Sequence, residues 1–176
     1  MAKKQSNYIN YIIDSMTIIH LLSKEWNVDE NVIFLIPSDI GEEMKSFESK
    51  AMLELLQEDN KVRFIDPTPT SIEKIKQIAE KTGDISKLST YDVKILALAY
   101  DFPEAIIISD DKAIQNVSEA ALMKIKAPFF RISTQRTYFW RCSVCGEKYN
   151  KSRKICIECG SPVKRFYVKT KEYKQE

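Results

Sequence analysis

All four cysteines of the chain fall into two Cys-x-x-Cys pairs, Cys142/Cys145 and Cys156/Cys159, with ten residues between the pairs. Each pair can form a tight turn that aims two thiolates at one ion. Two such turns complete a closed tetrahedral zinc site with no position left for a substrate, so the zinc expected here is structural. A disulfide framework would need an oxidising compartment, yet neither a leader-like apolar segment nor a membrane-length apolar run is visible, and a cytoplasmic address with no membrane partner is expected. A redox pair belongs near the start of a helix. Here Gly146 and Gly160 follow the second cysteine of each pair instead, which suits knuckle turns that require positive φ.

The cysteines divide the chain. Its 176 residues accommodate a domain with its own core over 1–133, a linker over 134–141, a ribbon over 142–168 too small to fold without its metal, and a basic polar tail over 169–176. The net charge of +2 conceals an asymmetry: residues 1–133 carry 16 Lys/Arg against 21 Asp/Glu, or −5, whereas residues 134–176 carry 11 against 4, or +7. Aromatic rings are interleaved with the positive charge. Arg136, Tyr138, Trp140 and Arg141 precede the first knuckle, Lys151, Arg153 and Lys154 lie between the knuckles, and Lys164 and Arg165 follow the second. Cations neutralise phosphates and flat rings stack on unpaired bases, so these nine residues are candidates for contacts with single-stranded or looped nucleic acid. Some of the rings must instead pack around the knuckles, because so small a unit has little other core.

The acidic domain alternates in hydrophobic pattern. Apolar runs at Tyr8–Ile13, Val32–Ile36, Val62–Ile65 and Ala105–Ile108 read as strands, with a last one expected at Phe129–Ile132. Between them the spacing predicts helices over Met16–Leu22, after Pro37-Ser38 with Ile40, Met44 and Phe47 on one face, over Ile72–Lys81 capped by Thr70 or Ser71 and stopped by Gly83, over Thr90–Tyr100 capped by Ser89, and through Ile114, Val117 and Ala121. Such alternation indicates an α/β domain, a mostly parallel sheet flanked by helices.

Open parallel sheets bind ligands at the carboxyl ends of their strands, and Asp14 and Asp110 stand at two such ends. Asp92 lies in the first turn of the helix that feeds the strand before Asp110, and Glu43, beside Glu42, lies on the helix after the second strand. Each acid also has a structural reading: Asp14 as a helix cap, Asp92 as a complement to a helix dipole, Glu43 as a solvated neighbour of Glu42, and Asp110 with Asp111 as turn and cap. Brought together, the four would repel one another and demand a hard cation such as Mg²⁺ or Mn²⁺. Little else offers chemistry. The lone His20 sits in an apolar helix pattern, and four glycines leave no phosphate-cradling loop. Acids and a metal without a nucleophile suit metal-assisted hydrolysis of a phosphodiester.

The segments Ile12-Ile13-Asp14-Ser15, Ile40-Gly41-Glu42-Glu43-Met44, Leu88-Ser89-Thr90-Tyr91-Asp92 and Ile107-Ile108-Ser109-Asp110-Asp111 resemble, in order and spacing, the PIN-domain ribonucleases. That resemblance implies Asp14, Glu43, Asp92 and Asp110 as the metal-binding acids, with Asp111, Ser15 and Ser109 as accessories. Ser109 stands where many of these domains have Thr, which keeps a hydroxyl, and Met16 stands where a smaller residue is common. A PIN domain followed by a cysteine ribbon resembles the short form of the Nin-one-binding-protein endonucleases. This implies a metal-dependent endoribonuclease that matures the 3′ end of precursor small-subunit ribosomal RNA, leaving 5′-phosphate and 3′-hydroxyl ends, with the small subunit and other assembly factors as partners. The alternatives are a toxin-type PIN ribonuclease, a non-catalytic RNA-binding assembly factor and a zinc-ribbon transcription factor. The last leaves the strand-end acids unexplained.

Overall fold

The structure is a computed structural model that describes residues 8–14, 17–18, 31–44 and 46–172, with the side chains of Glu42 and Glu43 excepted. Ser15, Met16 and His20, and most of the helix expected over Met16–Leu22, lie outside the described residues. In chain order the elements are β1 (Ile9–Ile13), β2 (Val32–Ile36), α1 (Ile40–Glu43), α2 (Phe47–Glu58), β3 (Val62–Phe64), α3 (Pro69–Thr82), α4 (Thr90–Asp101), β4 (Ile106–Ile108), α5 (Lys112–Ala120), β5 (Lys124–Lys126), β6 (Thr134–Cys142), β7 (Lys148–Tyr149) and β8 (Val163–Glu172).

Five strands form a parallel sheet in the order β3-β2-β1-β4-β5. The apolar runs explain the centre: Ile12 and Ile13 of β1, all of β2, and Ile107 and Ile108 of β4 are buried, as strands covered on both faces must be. The strand order reverses between β1 and β4, where open α/β sheets keep their ligands. Register places Ile13 opposite Ile108, so the residues that leave the two strands, Asp14 and Ser109, emerge side by side.

Local chemistry sets the helices. The cap of α3 is Thr68, two residues before the position expected: its hydroxyl accepts the Ser71 N–H, Pro69 follows at N1, and Gly83 ends the helix in the left-handed region. Ser89 and Asp92 form a reciprocal capping box at the start of α4. The helix expected through Ile40, Met44 and Phe47 is broken. Met44 is extended, Ser46 caps a new helix, and Phe47 is 82% exposed rather than on the buried face.

Two further expectations are corrected. Phe129–Ile132 is not a strand, because its backbone groups bond to the side chains of Asp110 and Gln115 instead of to a neighbour, and the edge position goes to Lys124–Lys126. The stretch expected as a linker over 134–141 is the body of β6, which pairs antiparallel with β8 from Thr134↔Glu172 to Cys142↔Val163, so β8 also takes in much of the expected tail. The ribbon sheet β7-β6-β8 therefore spans Thr134 to Glu172. Among the described residues no helix is long and apolar enough to cross a membrane.

Candidate active site

The exits of β1 and β4 and the first turn of α4 bring three acids into mutual range. Asp14 is buried; its Oδ1 accepts the Thr17 N–H at 2.5 Å and its Oδ2 accepts the Ser109 hydroxyl. Ser109 Oγ also accepts the Asp111 N–H at 3.1 Å, so one fully buried hydroxyl ties the exit of β1 to the exit of β4. Asp92 accepts the Ser89 N–H at 2.7 Å within its capping box. Its carboxyl is held above the ordinary value, first by burial and then, against its hydrogen bonds to Ser89, by the charges of Asp111 and Asp14. Asp92 thus lies within electrostatic reach of Asp14 and Asp111.

Asp110 points to other partners. Its Oδ1 accepts the backbone N–H groups of Phe129 at 2.9 Å and Phe130 at 2.7 Å, while its Oδ2 is buried with no hydrogen-bond partner. Asp111, the expected accessory, caps α5 by accepting from Ala113 at 2.7 Å and Ile114 at 2.9 Å, and its charge acts on Asp92 together with that of Asp14. Position at the strand end could not separate the two, because that depends on which way the chain turns into α5. Glu43 lies on α1, with its side chain outside the described residues.

The Asp110 carboxylate oxygen that is buried without a hydrogen-bond partner is one that a hard cation would satisfy, and carboxylate donors of this kind fit Mg²⁺ or Mn²⁺. Even so, among the described residues the only group of potential ligands whose atoms all lie within 4.8 Å of one another is Cys142, Cys145, Cys156 and Cys159.

Those sulfurs fit a tetrahedral zinc. Cys142 and Cys159 approach to 3.5 Å, as do Cys145 and Cys156, and Gly146 and Gly160 have φ of 79° and 70° in the knuckles. Against a Glu147 backbone hydrogen bond that favours its thiolate, hydrogen bonding with Cys156 and lost hydration push the Cys145 thiol up to about 12; hydrogen bonds with Ser161, then with Cys142, hold Cys159 down at about 6. A divalent cation lets four sulfurs this close ionise together. The Tyr149 hydroxyl lies 3.0 Å from Cys156 Sγ and accepts the Ile157 N–H at 3.2 Å, which fixes the second knuckle.

The proposed nucleic-acid residues separate into two sets. Arg141, Lys151, Lys154 and Lys164 are exposed, Arg153 stacks on Tyr149 with its guanidinium 4.8 Å from the ring centroid, and Arg136 stacks on Tyr167 at 4.5 Å. Trp140 and Arg165 have partners within the protein. Trp140 is 5% exposed and belongs to the packing of the ribbon; Arg165 donates to Gly83 O and Asp84 Oδ1 and lies over Tyr138, so these residues join the two domains. The sequence carried no sign of that junction, because its partner Asp84 lies 81 positions away.

Residues 11–102 match the family profile described as PIN domain of ribonuclease. The chain belongs to the PIN-domain ribonucleases. It is therefore a nuclease of the endoribonuclease class, as the order of acids led us to expect. Endoribonuclease Nob1 of Pyrococcus abyssi is 32% identical over 160 residues, 89% of this chain and 92% of its own. Ribonuclease VapC1 of Thermoplasma acidophilum is 34% identical over 162 residues, 92% of this chain and 80% of its own. The 20S-pre-rRNA D-site endonuclease NOB1 of Saccharomyces cerevisiae is 28% identical over 103 residues, 57% of this chain and 22% of its own. The VapC1 match is longer than the PIN domain, so the ribbon does not by itself separate a Nob1-type enzyme from that relative.

Proposed function

We propose that the protein is a metal-dependent endoribonuclease that matures the 3′ end of small-subunit ribosomal RNA, acting in the cytoplasm on precursor RNA within the small subunit alongside other assembly factors. The observation that carries the chemistry is the juxtaposition of Asp14, leaving β1, with Ser109 and the acids that follow it, leaving β4, tied by the Ser109–Asp14 hydrogen bond at the switch point of the sheet. The likeness to relatives named Nob1, one of them a pre-rRNA endonuclease, supports the substrate.

Asp14, Asp92 and Asp111, with Asp110 Oδ2 and Glu43, are the residues that would hold the metal. When bound, Mg²⁺ or Mn²⁺ supplies a more acidic water and offsets the charge that develops on the leaving oxygen. The chain's own part is positioning. Ser109 and Thr17 occupy both oxygens of Asp14 and fix its carboxylate plane, and the capping box holds Asp92 at the mouth of the site. Cleavage in this reading leaves 5′-phosphate and 3′-hydroxyl ends. A domain of net charge −5 repels RNA, and the +7 segment beside it supplies the affinity, which should fall with salt.

The identity to VapC1 favours a second reading, a toxin-type ribonuclease. Competition decides between them: with a precursor fragment spanning the small-subunit 3′ end and total tRNA offered together, the first reading expects cuts confined to the precursor. Preferential cutting of a tRNA overturns it.

A further inference from the structure

Phe130 is 48% exposed, yet the backbone that carries it is fixed on both sides. Asp110 accepts the N–H groups of Phe129 and Phe130; Gln115, itself 1% exposed, donates to Phe130 O at 2.7 Å and accepts from Ile132 N at 2.9 Å. This buried amide gives its oxygen and one N–H to the surface segment and donates also to Ser109 O at 3.3 Å, so it holds the segment against the end of β4. A ring held this way can receive a ligand with little ordering cost.

The surroundings say what ligand. Lys112, which follows Asp111, holds its Nζ 4.7 Å from the Phe130 ring centroid. Beside the ring a cleft of about 90 Å³ runs toward the ribbon, lined also by Thr134, Arg136 and Tyr138, and no carboxylate is among its lining residues. Arg136 is itself fixed, its backbone N–H and C=O both paired with the Asn116 side chain at 2.7 Å. The volume is well below the ~300 Å³ or more of a small-molecule pocket, so this is a rest for part of a longer chain. Two cations and two flat rings line the cleft, Lys112 following Asp111 directly in the chain, and such a set matches a phosphate and a base.

We infer that this cleft seats one nucleotide of single-stranded RNA next to the scissile phosphate, its base stacked on Phe130 and its phosphate held by Lys112 and Arg136. The inference rests on the endoribonuclease reading. It makes Asp110 and Gln115 positioning residues for the platform and gives the RNA a continuous basic path from the ribbon into an acidic site.

The test uses the full chain, the RNA whose cut site the unmodified protein defines, and copies of it with an abasic nucleotide on either side of that site. Binding is measured without added divalent metal, so no cutting intervenes. For the unmodified protein, removing the seated base should weaken binding about tenfold. Phe130→Ala should bind intact RNA about tenfold more weakly and be indifferent to that abasic position, and Phe130→Trp should restore both the affinity and the sensitivity. Lys112→Ala should lower the slope of log affinity against log salt by about 0.7. If Phe130→Ala binds and cuts as the unmodified protein does, or stays sensitive to the same abasic nucleotide, the cleft is not a nucleotide seat. An unmodified protein that cuts no RNA removes the endoribonuclease reading and this inference with it, whereas full activity in Phe130→Ala removes the inference alone.

Discussion

The Arg165 guanidinium donates to Asp84 Oδ1 at 2.8 Å while lying 3.6 Å from the centroid of the Tyr138 ring. One side chain thus joins the end of α3 to two strands of the ribbon, and Asn116 completes the junction by donating to Asp84 Oδ2 at 2.6 Å and to Arg136 O. This cluster joins the acidic PIN domain to the basic ribbon.

Breaking the junction on one side should be expensive. Asp84 is 2% exposed, so Arg165→Met leaves a buried carboxylate without its cation and should cost about 3 kcal/mol in urea unfolding, whereas Arg165→Met with Asp84→Asn should cost distinctly less. Equal losses for the single and double variants would mean that the loss does not come from a buried carboxylate left without its cation.

The same carboxylate sets a pH dependence. Burial raises the Asp84 pKa above 3.8, with Asn116, Thr82 and Arg165 only partly opposing it. A carboxyl raised on folding favours the folded state in its protonated form; the contribution is fully present below the unfolded value and is lost as pH rises through the folded one. The stability of the unmodified protein relative to Asp84→Asn should therefore fall as pH rises from the ordinary aspartate range toward neutrality, as followed by chemical unfolding at each pH. A rise over that interval would contradict the assignment.

Gly83 adds a steric constraint. Its φ is +74°, and a Cβ there would meet the Tyr138 carbonyl oxygen at 2.3 Å, so Gly83→Ala must displace the ribbon. We expect a loss of about 3 kcal/mol and weaker RNA binding, by thermal unfolding and a binding titration on the same preparation. Wild-type values for both would mean that β6 does not sit against the end of α3.

At the acids, role separates by substitution. Asp110→Asn keeps an oxygen for the amides of Phe129 and Phe130, so it should lose cutting and retain RNA binding; Asp110→Ala should lose both. Asp111→Asn should reduce cutting about a hundredfold or more and abolish the rise in melting temperature that Mn²⁺ gives the unmodified protein. Undiminished cutting by Asp111→Asn would return the ligand role to Asp110 alone.

The ribbon should hold one zinc per chain. Cys142→Ser should lose the metal and the ribbon's RNA affinity while the PIN domain keeps its cooperative unfolding, measured by metal analysis, binding and calorimetry. A full zinc complement in that variant would exclude the four-cysteine site.

What the sequence disclosed was whatever rests on local chemistry. The β1 and β4 runs are unbroken apolar stretches, Ser89 announces its helix, and paired cysteines with following glycines announce knuckles. Contacts distant in the chain decided the rest. Residues 134–141 read as a charged linker until β8 supplies the partner strand, Phe129–Ile132 loses its ladder to two side chains, and Arg165 reads as a surface cation until Asp84 is found beneath it. Which backbone groups each of the two adjacent acids accepts from depends on a single turn after β4, where Asp110 bends toward Phe130 and Asp111 toward α5.

The most direct test of the central claim is end-mapping of a precursor RNA spanning the small-subunit 3′ end, incubated with Mn²⁺ or Mg²⁺ and either the intact chain or Asp92→Asn. The account predicts one cut with a 5′-phosphate and a 3′-hydroxyl, dependent on added metal and absent with Asp92→Asn. Tight binding of that RNA by both proteins with no cut from either, or cutting that survives the loss of Asp92, would contradict it.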